Sequence, residues 1–291
     1  MISKDDISKK LLLNPEPKEV AEMREHILSS FSNLEFIEEG HEYYIHNEDG
    51  TIDTPISVSG LIKEFEPYVD WDVKAEGVAL KEGVDVEVIK RKWKENTLRA
   101  TNSGTQHHEF GESYMNFVRG LDKSTFCNSC IKQYEEGYLI PCAPKQEAIL
   151  KYWEDIFKID KLYPLLPEVK MYMPKDNKFG IKKLYCGTAD ITFAMKYKGE
   201  WCIIIHDYKT NASLSNDYNQ KFNVTMLPPF DSMIDESKSH YVFQLSAYSL
   251  MLMNLGYKVI DRKLIWLKND GNYEKITLPD ITDKLITYYS K

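Results

Sequence analysis

Cysteine and long apolar runs are both scarce in this sequence. The 291 residues include five cysteines, an odd number without the regular spacing of a disulfide framework, which indicates a reducing compartment. No apolar run approaches the ~18–20 residues that a membrane-spanning helix needs. The N-terminal segment is charged and lacks the apolar stretch of a secretory signal. We therefore expect a cytoplasmic protein with no membrane partner.

Positive charge is also in short supply. The chain has 37 Lys and Arg against 45 Asp and Glu, a net charge of −8, which excludes a general electrostatic grip on nucleic acid. A nucleic-acid enzyme is still compatible with this charge, because a site built from carboxylates is locally acidic. The pattern GxxxxGK[ST] is absent, which excludes a P-loop helicase motor within this sequence. No repeat of roughly 20–50 residues is present, which excludes solenoid folds.

Hydrophobic residues make up 43% of the chain, enough for the core of one large domain or two small ones. Residues 187–211 hold two β-branched and aromatic runs on either side of a Lys-Gly turn, which predicts a β-hairpin. Asp190 lies near the start of the first strand, and Asp207 lies at the end of the second. Lys209 shares a face with Asp207 because side chains alternate along a strand.

Two carboxylates and a lysine are the minimum needed for metal-assisted hydrolysis of a phosphodiester. Mg²⁺ and Mn²⁺ prefer carboxylate ligands, and a bound metal acidifies water. The lysine can orient that water or offset charge on the phosphorane. The alternative is a hairpin with solvated charges at its ends, and the pattern alone leaves both interpretations open.

A second candidate group lies in residues 101–112. Ser103 or Thr105 is expected to cap the N-terminus of a helix here. On that helix His108 and Glu112 are four positions apart and share a face. The alternative is an amphipathic helix with an incidental His–Glu pair, since the zinc motif HExxH is absent.

Other polar clusters point less directly to chemistry. Cys127, Cys130 and Cys142 form one CxxC pair and a third cysteine, which is one ligand short of a tetrahedral metal site. We expect neither zinc nor an iron–sulfur cluster there. A dense basic cluster at residues 90–94 predicts a solvated helix face, with contact to a DNA backbone as the alternative.

The remaining segments alternate between helical and extended patterns and predict an α/β fold. A helical piece comes first, within residues 1–40, and a tyrosine-rich hairpin begins at His41. Extended structure containing Glu168 precedes the central hairpin. A long polar loop follows the hairpin, and then a helix that carries Gln244 and Tyr248 one turn apart.

Taken in order, these blocks resemble the RecB-like branch of the PD-(D/E)XK nuclease superfamily. The motifs GTxxHxxxE, a strand Glu, GxxD, DYKT and QxxxY follow one another along the chain. The matching residues are Gly104, Thr105, His108, Glu112, Glu168, Gly187, Asp190, Asp207, Tyr208, Lys209, Thr210, Gln244 and Tyr248. The segment before them is similar to the one that precedes the nuclease core in phage and mitochondrial genome-maintenance exonucleases, with Ser57-Val58-Ser59 in place of an SVT-type motif. The resemblance spans about residues 41–268.

The resemblance implies a fold and a site. The fold is α/β with a restriction-endonuclease-like core, in which helices flank a mixed central β-sheet, and with an N-terminal helical and hairpin appendage. The implied domains are an N-terminal helical extension at 1–40 and a nuclease domain at 41–291. The implied catalytic residues are Asp190, Asp207, Lys209 and Glu168. The implied ligands of Mg²⁺ or Mn²⁺ are His108, Asp190, Asp207 and the backbone carbonyl of Tyr208. The residues implied to bind or orient DNA are Gln244, Tyr248, Thr105 and Glu112.

The implied function is metal-dependent DNA exonuclease activity, starting from a free single-stranded end, in replication, recombination or DNA processing of a phage or a bacterium. DNA is the implied partner, along with replication or recombination proteins. A flap-type endonuclease is one alternative, and a non-catalytic nucleic-acid-binding module on the same fold is another. Iron–sulfur members of this branch carry three cysteines near the C-terminus. No cysteine follows Cys202 here, so that cluster is not expected.

The polar loop at residues 211–239 is expected to cover the site. Its aromatic residues, with one just beyond it, would stack on unpaired bases or, alternatively, anchor the loop to the core. These residues are Tyr218, Phe222, Phe230 and Tyr241. Candidates for a basic path along a DNA strand are Lys178, Lys182, Lys183 and the cluster at 90–94.

Overall fold

The structure is a computed structural model and describes residues 15–119 and 143–291. The predictions for Cys127, Cys130 and Cys142 lie outside these ranges, as does the start of the N-terminal helical piece. Within the described ranges, Cys186 and Cys202 are buried free thiols, and no helix is both long and apolar enough to cross a membrane.

A small antiparallel sheet lies near the start of the described chain. It consists of β1 (Leu34–Ile37), β2 (Glu42–His46) and β3 (Ile52–Asp53). The tyrosine-rich segment forms β2, which confirms the predicted hairpin. The sheet is held onto the central sheet by tyrosines, since the Tyr172 hydroxyl donates to Asn33 and the Tyr43 hydroxyl lies 3.1 Å from that of Thr188.

The central sheet has both parallel and antiparallel pairs. Its strands are β4 (Ile56–Ser57), β5 (Leu162–Met173), β6 (Tyr185–Tyr197), β7 (Glu200–Lys209), β8 (Lys258–Leu267) and β9 (Tyr273–Thr277). The order is β4-β6-β7-β8-β9, with β5 paired to β6. β4 is parallel to β6 and β7 is parallel to β8, whereas the other pairs are antiparallel. This confirms the predicted mixed sheet and its β6–β7 hairpin.

Helices cover both faces of this sheet. They are α1 (Lys18–Ser30), α2 (Val58–Lys63), α3 (Trp71–Glu82), α4 (Val86–Val118), α5 (Pro144–Ile156), α6 (Asp217–Phe222), α7 (Ser237–Asn254) and α8 (Thr282–Tyr289). One core cluster joins α1, α7 and α8 to residues such as Ile203 and Ile205 of β7. A second joins α4 and α5 to the opposite side, where Ile204 and Tyr208 point. The predicted α/β class, a mixed sheet flanked by helices, is therefore confirmed.

Helix α4 differs from its prediction. The sequence placed an N-cap at Ser103 or Thr105, but the helix begins at Val86 and continues for 33 residues. The Asp85 carboxylate accepts a hydrogen bond from an amide in the first turn and fulfils the capping role. The charged first half remains helical because Ile89 packs against α3. Packing thus overrides the local capping signal, and the predicted cap is wrong.

The segment at 211–239 is more structured than a polar loop. It contains α6 and a β-bridge between Thr225 and Ile234. Phe230 is fully buried and packs against Phe65 and Phe243, so it anchors the segment to the core and is not free to stack on bases. Tyr218 and Phe222 are exposed, with ring centroids 4.6 Å apart.

Candidate metal centre

The site forms where β6 and β7 separate. Their pairing ends at Ile191 and His206, while β4 pairs with β6 only as far as Cys186. Between these points no strand of the described residues pairs with the side of β6 that faces β7. The backbone amide of Tyr208, two residues beyond His206 on β7, donates instead to the Asp190 carboxylate over 2.8 Å. A side chain thus replaces a ladder hydrogen bond and fixes Asp190 at the opening.

Three potential metal ligands meet at this opening. His108 reaches it from α4, where its Nδ1 lies 3.3 Å from Oδ2 of Asp190 and 3.5 Å from Oε1 of Glu168. The ligand atoms of these residues all lie within 4.8 Å of one another. A helix, β5 and β6 therefore each contribute one donor to a compact group.

Glu168 is held in an unfavourable position. Its strand neighbours Pro167 and Val169 pair with Ile191 and Ala189, so Glu168 lies opposite Asp190. Its φ of 42° places a glutamate in the left-handed region, which costs of order 1–3 kcal/mol and is concentrated at functional sites. Two carboxylates whose oxygens lie within 4.8 Å of each other repel by about 3 kcal/mol at an effective dielectric of ~20. A cation facing both carboxylates relieves this repulsion.

His108 is the positively charged group that faces both carboxylates. Burial alone would lower the pKa of His108, but the charge of Asp190 and hydrogen bonds to Asp190 and Glu168 raise this pKa well above its usual value. Burial alone would raise the pKa of Asp190, but the His108 charge lowers it. Burial raises the pKa of Glu168 even though His108 opposes this shift. The imidazolium therefore occupies the position that suits a divalent cation.

Asp207 and Lys209 form a second charged pair beside this group. As predicted, they lie on one face of β7, and the Lys209 ammonium forms an ion pair with Oδ2 of Asp207. Asp207 is fully buried, and its Oδ1 has no hydrogen-bond partner among the described residues. Burial and the charge of Asp190 raise the pKa of Asp207 to about 6. Burial opposes the charge on Lys209, yet Asp207 and Asp190 raise its pKa.

The donor set fits a hard divalent cation. Two carboxylates and one imidazole match the oxygen and nitrogen ligands that Mn²⁺ and Mg²⁺ take, and Oδ1 of the nearby Asp207 has no hydrogen-bond partner among the described residues. Asp207, which the resemblance adds to the ligands, does not belong to the three-residue group. Tyr208 adjoins the group through the amide that it donates to Asp190.

Glycines allow aromatic side chains to approach this centre closely. A Cβ atom at Gly187 would lie 2.5 Å from the Tyr248 ring, and one at Gly111 would lie 2.5 Å from the Tyr208 ring. The Gln244 amide donates to the Tyr248 hydroxyl over 2.9 Å. The glycine of the GxxD pattern is thus required by packing, which the sequence alone does not explain.

A cavity of about 930 Å³ opens onto the centre. The predicted site residues that line it are Thr105, His108, Glu112, Glu168, Asp190, Lys209, Gln244 and Tyr248. Asp207 and Tyr208 lie behind this wall, because both are buried. The structure therefore brings residues from all five sequence blocks to one place.

Sequence reasoning missed the opposite wall of the cavity. The small N-terminal sheet supplies it through Phe36, His41 and Tyr43, together with Lys170 of β5. The density of aromatic residues around His41 was the available signal, but it was assigned only to a hairpin. Nothing local in the sequence indicates that this hairpin folds over the metal centre.

The proposed basic path is partly neutralised by acidic neighbours. Lys183 pairs with Glu64 at 2.6 Å, and Lys90 pairs with Asp72 at 2.7 Å. Lys182 donates to the backbone carbonyl of Lys291. These contacts favour the solvated-face interpretation of the basic residues over a DNA-binding path.

No protein-family model matches this sequence, and no curated protein is significantly similar to it. The interpretation of the site therefore rests on the geometry and charges described above. These define a candidate centre for a divalent cation at the mouth of a cavity.

Proposed function

We propose that the protein is a Mg²⁺- or Mn²⁺-dependent DNA exonuclease with a restriction-endonuclease-like core of the RecB-like type. The observation that carries this proposal is the meeting of His108, Glu168 and Asp190 where β6 and β7 separate, with Lys209 on the same cavity wall. In this proposal those three residues, supported by Asp207, hold the metal. The bound metal supplies an acidified water and charge stabilisation at the scissile phosphate.

The chain's own residues contribute binding and orientation. Lys209 is paired with a buried carboxylate, so it acts as an ammonium that orients the attacking water and offsets charge on the phosphorane. Its position is further fixed by the Tyr241 ring, whose centroid lies 4.3 Å from the ammonium nitrogen. Gln244 and Tyr248 of α7 form a hydrogen bond with each other, and both orient the substrate.

Metal binding and proton release are coupled in this proposal. His108, which faces Asp190 and Glu168, would have to lose its proton to become a ligand, so protonation of His108 would oppose metal binding by these residues. The strained backbone of Glu168 and its repulsion from Asp190 are the energetic cost of holding these ligands together. We expect the affinity for Mn²⁺ to rise with pH.

End-labelled linear single strands, linear duplexes and closed single-stranded circles, each with Mg²⁺, Mn²⁺ or chelator, test the proposal. We expect metal-dependent degradation of linear DNA from its ends, with linear single strands preferred and circles resistant. Cutting of circles at the rate of linear DNA would replace the exonuclease with an endonuclease. Binding without cleavage under every metal would leave only a nucleic-acid-binding module.

A further inference from the structure

An aromatic cluster forms the wall of the cavity that the small N-terminal sheet provides. The rings of Phe36, His41 and Tyr43 have centroids 4.7–5.9 Å apart, and all three residues line the cavity. Tyr43 is buried and bonded to Thr188. Phe36 is half-buried and His41 is exposed, so these two rings are the accessible ones.

His41 is held in this cluster by a strained backbone. Its φ is 55°, and like Glu168 it is a non-glycine residue in the left-handed region that lines the cavity. Strain of this kind persists only where the surrounding structure imposes it, and it is concentrated at binding sites. The turn thus directs an exposed ring into the cavity at an energetic cost.

A lysine lies beside the aromatic cluster. Lys170 follows Glu168 by two positions on β5, so the two side chains share a face of the strand. Its ammonium nitrogen lies 5.5 Å from the Phe36 ring centroid. Of the two lysines that line the cavity, Lys209 is paired with Asp207, whereas Lys170 forms no salt bridge within the described residues.

The charges around the cluster indicate which part of a nucleotide fits there. Glu38 and Glu39 are exposed at the same turn and line the cavity, so they repel a phosphate. An uncharged base is compatible with them, and every base offers a π face to an aromatic ring. The adjoining phosphate is then bound by Lys170, whose ammonium lies beside the Phe36 ring.

We propose that Phe36, His41 and Lys170 form a nucleotide subsite beside the metal centre. The Phe36 and His41 rings stack on a base of the bound strand, and the Lys170 ammonium binds the neighbouring phosphate. This inference rests on the proposed function, because it assigns a place to the DNA strand that the metal centre would cut. Stacking without base-edge contacts makes the subsite indifferent to sequence and selective for unpaired bases.

The test is binding of fluorescein-labelled oligothymidylate to the full chain, measured by anisotropy with Ca²⁺, which takes the same oxygen ligands. Loss of one stacking ring weakens binding by about tenfold, and we expect this of Phe36→Leu and His41→Ala. Phe36→Leu keeps an apolar side chain in the sheet, and thermal unfolding checks that each variant is folded. The matched control is Tyr197→Ala, which removes an exposed ring with Lys198 over it outside the cavity.

An oligonucleotide of abasic units separates stacking from phosphate binding. The Phe36→Leu and His41→Ala defects should shrink to within about twofold on the abasic strand, because no base is left to stack. Lys170→Met should weaken binding of both oligonucleotides equally and reduce the salt dependence of binding. Lys198→Met should change neither the affinity nor its salt dependence.

Cleavage of the same oligothymidylate with Mn²⁺ distinguishes the two proposals. If the wild-type protein cleaves DNA and the ring variants bind both strands as tightly as wild type, the subsite is overturned and the nuclease proposal stands. Equal defects on both strands would also overturn it, since the rings would then act through the fold. A wild-type protein that neither binds nor cleaves DNA would overturn the proposed function and the subsite with it.

Discussion

Two Asp-x-Lys ion pairs lie on neighbouring parallel strands of the central sheet. Asp207 and Lys209 form one at the end of β7, and Asp261 and Lys263 form the other on β8. In the β7 pair Asp207 is fully buried, Lys209 is 12% exposed, and Oδ1 of Asp207 has no hydrogen-bond partner among the described residues, whereas the side chains of the β8 pair are 24% and 28% exposed. Water solvates the β8 pair, whereas the Asp207 carboxylate of the β7 pair interacts with protein groups. The same Asp-x-Lys pattern can therefore take part in catalysis only where the fold removes solvent.

Two histidines near the site, His108 and the buried His206, differ in the same way. His108 lies between two carboxylates on the cavity wall, and His206 lies behind the site among aromatic rings, where its Nδ1 is 2.7 Å from the Tyr152 hydroxyl. Burial lowers the pKa of His206 to about 3, with Lys263 and Lys275 adding to this shift. Burial alone thus produces a neutral structural histidine, whereas the facing carboxylates of Asp190 and Glu168 raise the pKa of His108.

The largest expected effect separates the two ion pairs. Asp207→Asn and Lys209→Ala should each lower the rate of DNA cleavage by about 10²–10³-fold or more, because each removes a charge that acts at the metal or the phosphorane. Asp261→Asn and Lys263→Ala should keep wild-type rates, since a partly exposed pair contributes little. Gel assays on labelled linear DNA measure all four.

An equal loss of cleavage rate from substitutions in the two pairs would contradict this prediction. It would mean that a charge pair anywhere on these strands supports the fold on which activity depends. Circular dichroism and thermal unfolding of each variant identify that situation directly.

A smaller effect separates adjacent histidines on α4. His108→Ala should weaken Mn²⁺ binding by at least about tenfold, and excess Mn²⁺ should restore part of the cleavage. His107 is also buried, with its Nδ1 close to the backbone carbonyl of Ser103. His107→Ala should therefore lower the free energy of unfolding by about 1 kcal/mol and leave the Mn²⁺ affinity unchanged.

Isothermal titration calorimetry with Mn²⁺ gives the affinities, and urea unfolding gives the stabilities. Equal Mn²⁺ affinities for the two variants would return His108 to a purely structural role. His107 points about 100° away from His108 on the helix, and because His107 is buried, this direction leads into the core.

Periodicity and alternation were sufficient to predict the parts of the site that depend on one element. Strand alternation placed Asp207 and Lys209 on one face, and helical spacing placed His108 and Glu112 together, because both follow from backbone geometry. The β6–β7 hairpin was equally clear from its composition. These features need no knowledge of what packs against them.

The rest depends on contacts between distant segments. The separation of β6 from β7, the left-handed backbone at Glu168 and the docking of the N-terminal sheet over the cavity are set by tertiary packing. The start of α4 was misplaced because packing of Ile89 on α3 outweighs the capping preference of Ser103. For Phe230 the sequence left two alternatives open, and its packing against Phe65 and Phe243 selects the one in which it anchors the segment to the core.

The smallest of the three effects concerns the pH dependence of stability and tests the neutral state of His206. The unfolded chain binds a proton at His206 below pH ~6.5, whereas the folded chain, with a pKa of about 3, does not. This contribution to stability is therefore complete above pH ~6.5 and is lost as the pH falls towards 3. Between pH 7.5 and 5.0 the loss is roughly 2 kcal/mol.

Urea unfolding of wild type and His206→Gln at these two pH values, with chelator present, measures the effect as a difference between proteins. The titration of Asp207 and the other carboxylates is common to both chains and cancels. A glutamine amide can either donate a hydrogen bond to the Tyr152 hydroxyl or accept one from it, so the variant removes the titration while keeping a polar partner. Wild type should lose roughly 2 kcal/mol more than the variant. If both lost the same amount, His206 would be protonated in the fold, and the contrast with His108 would be one of degree only.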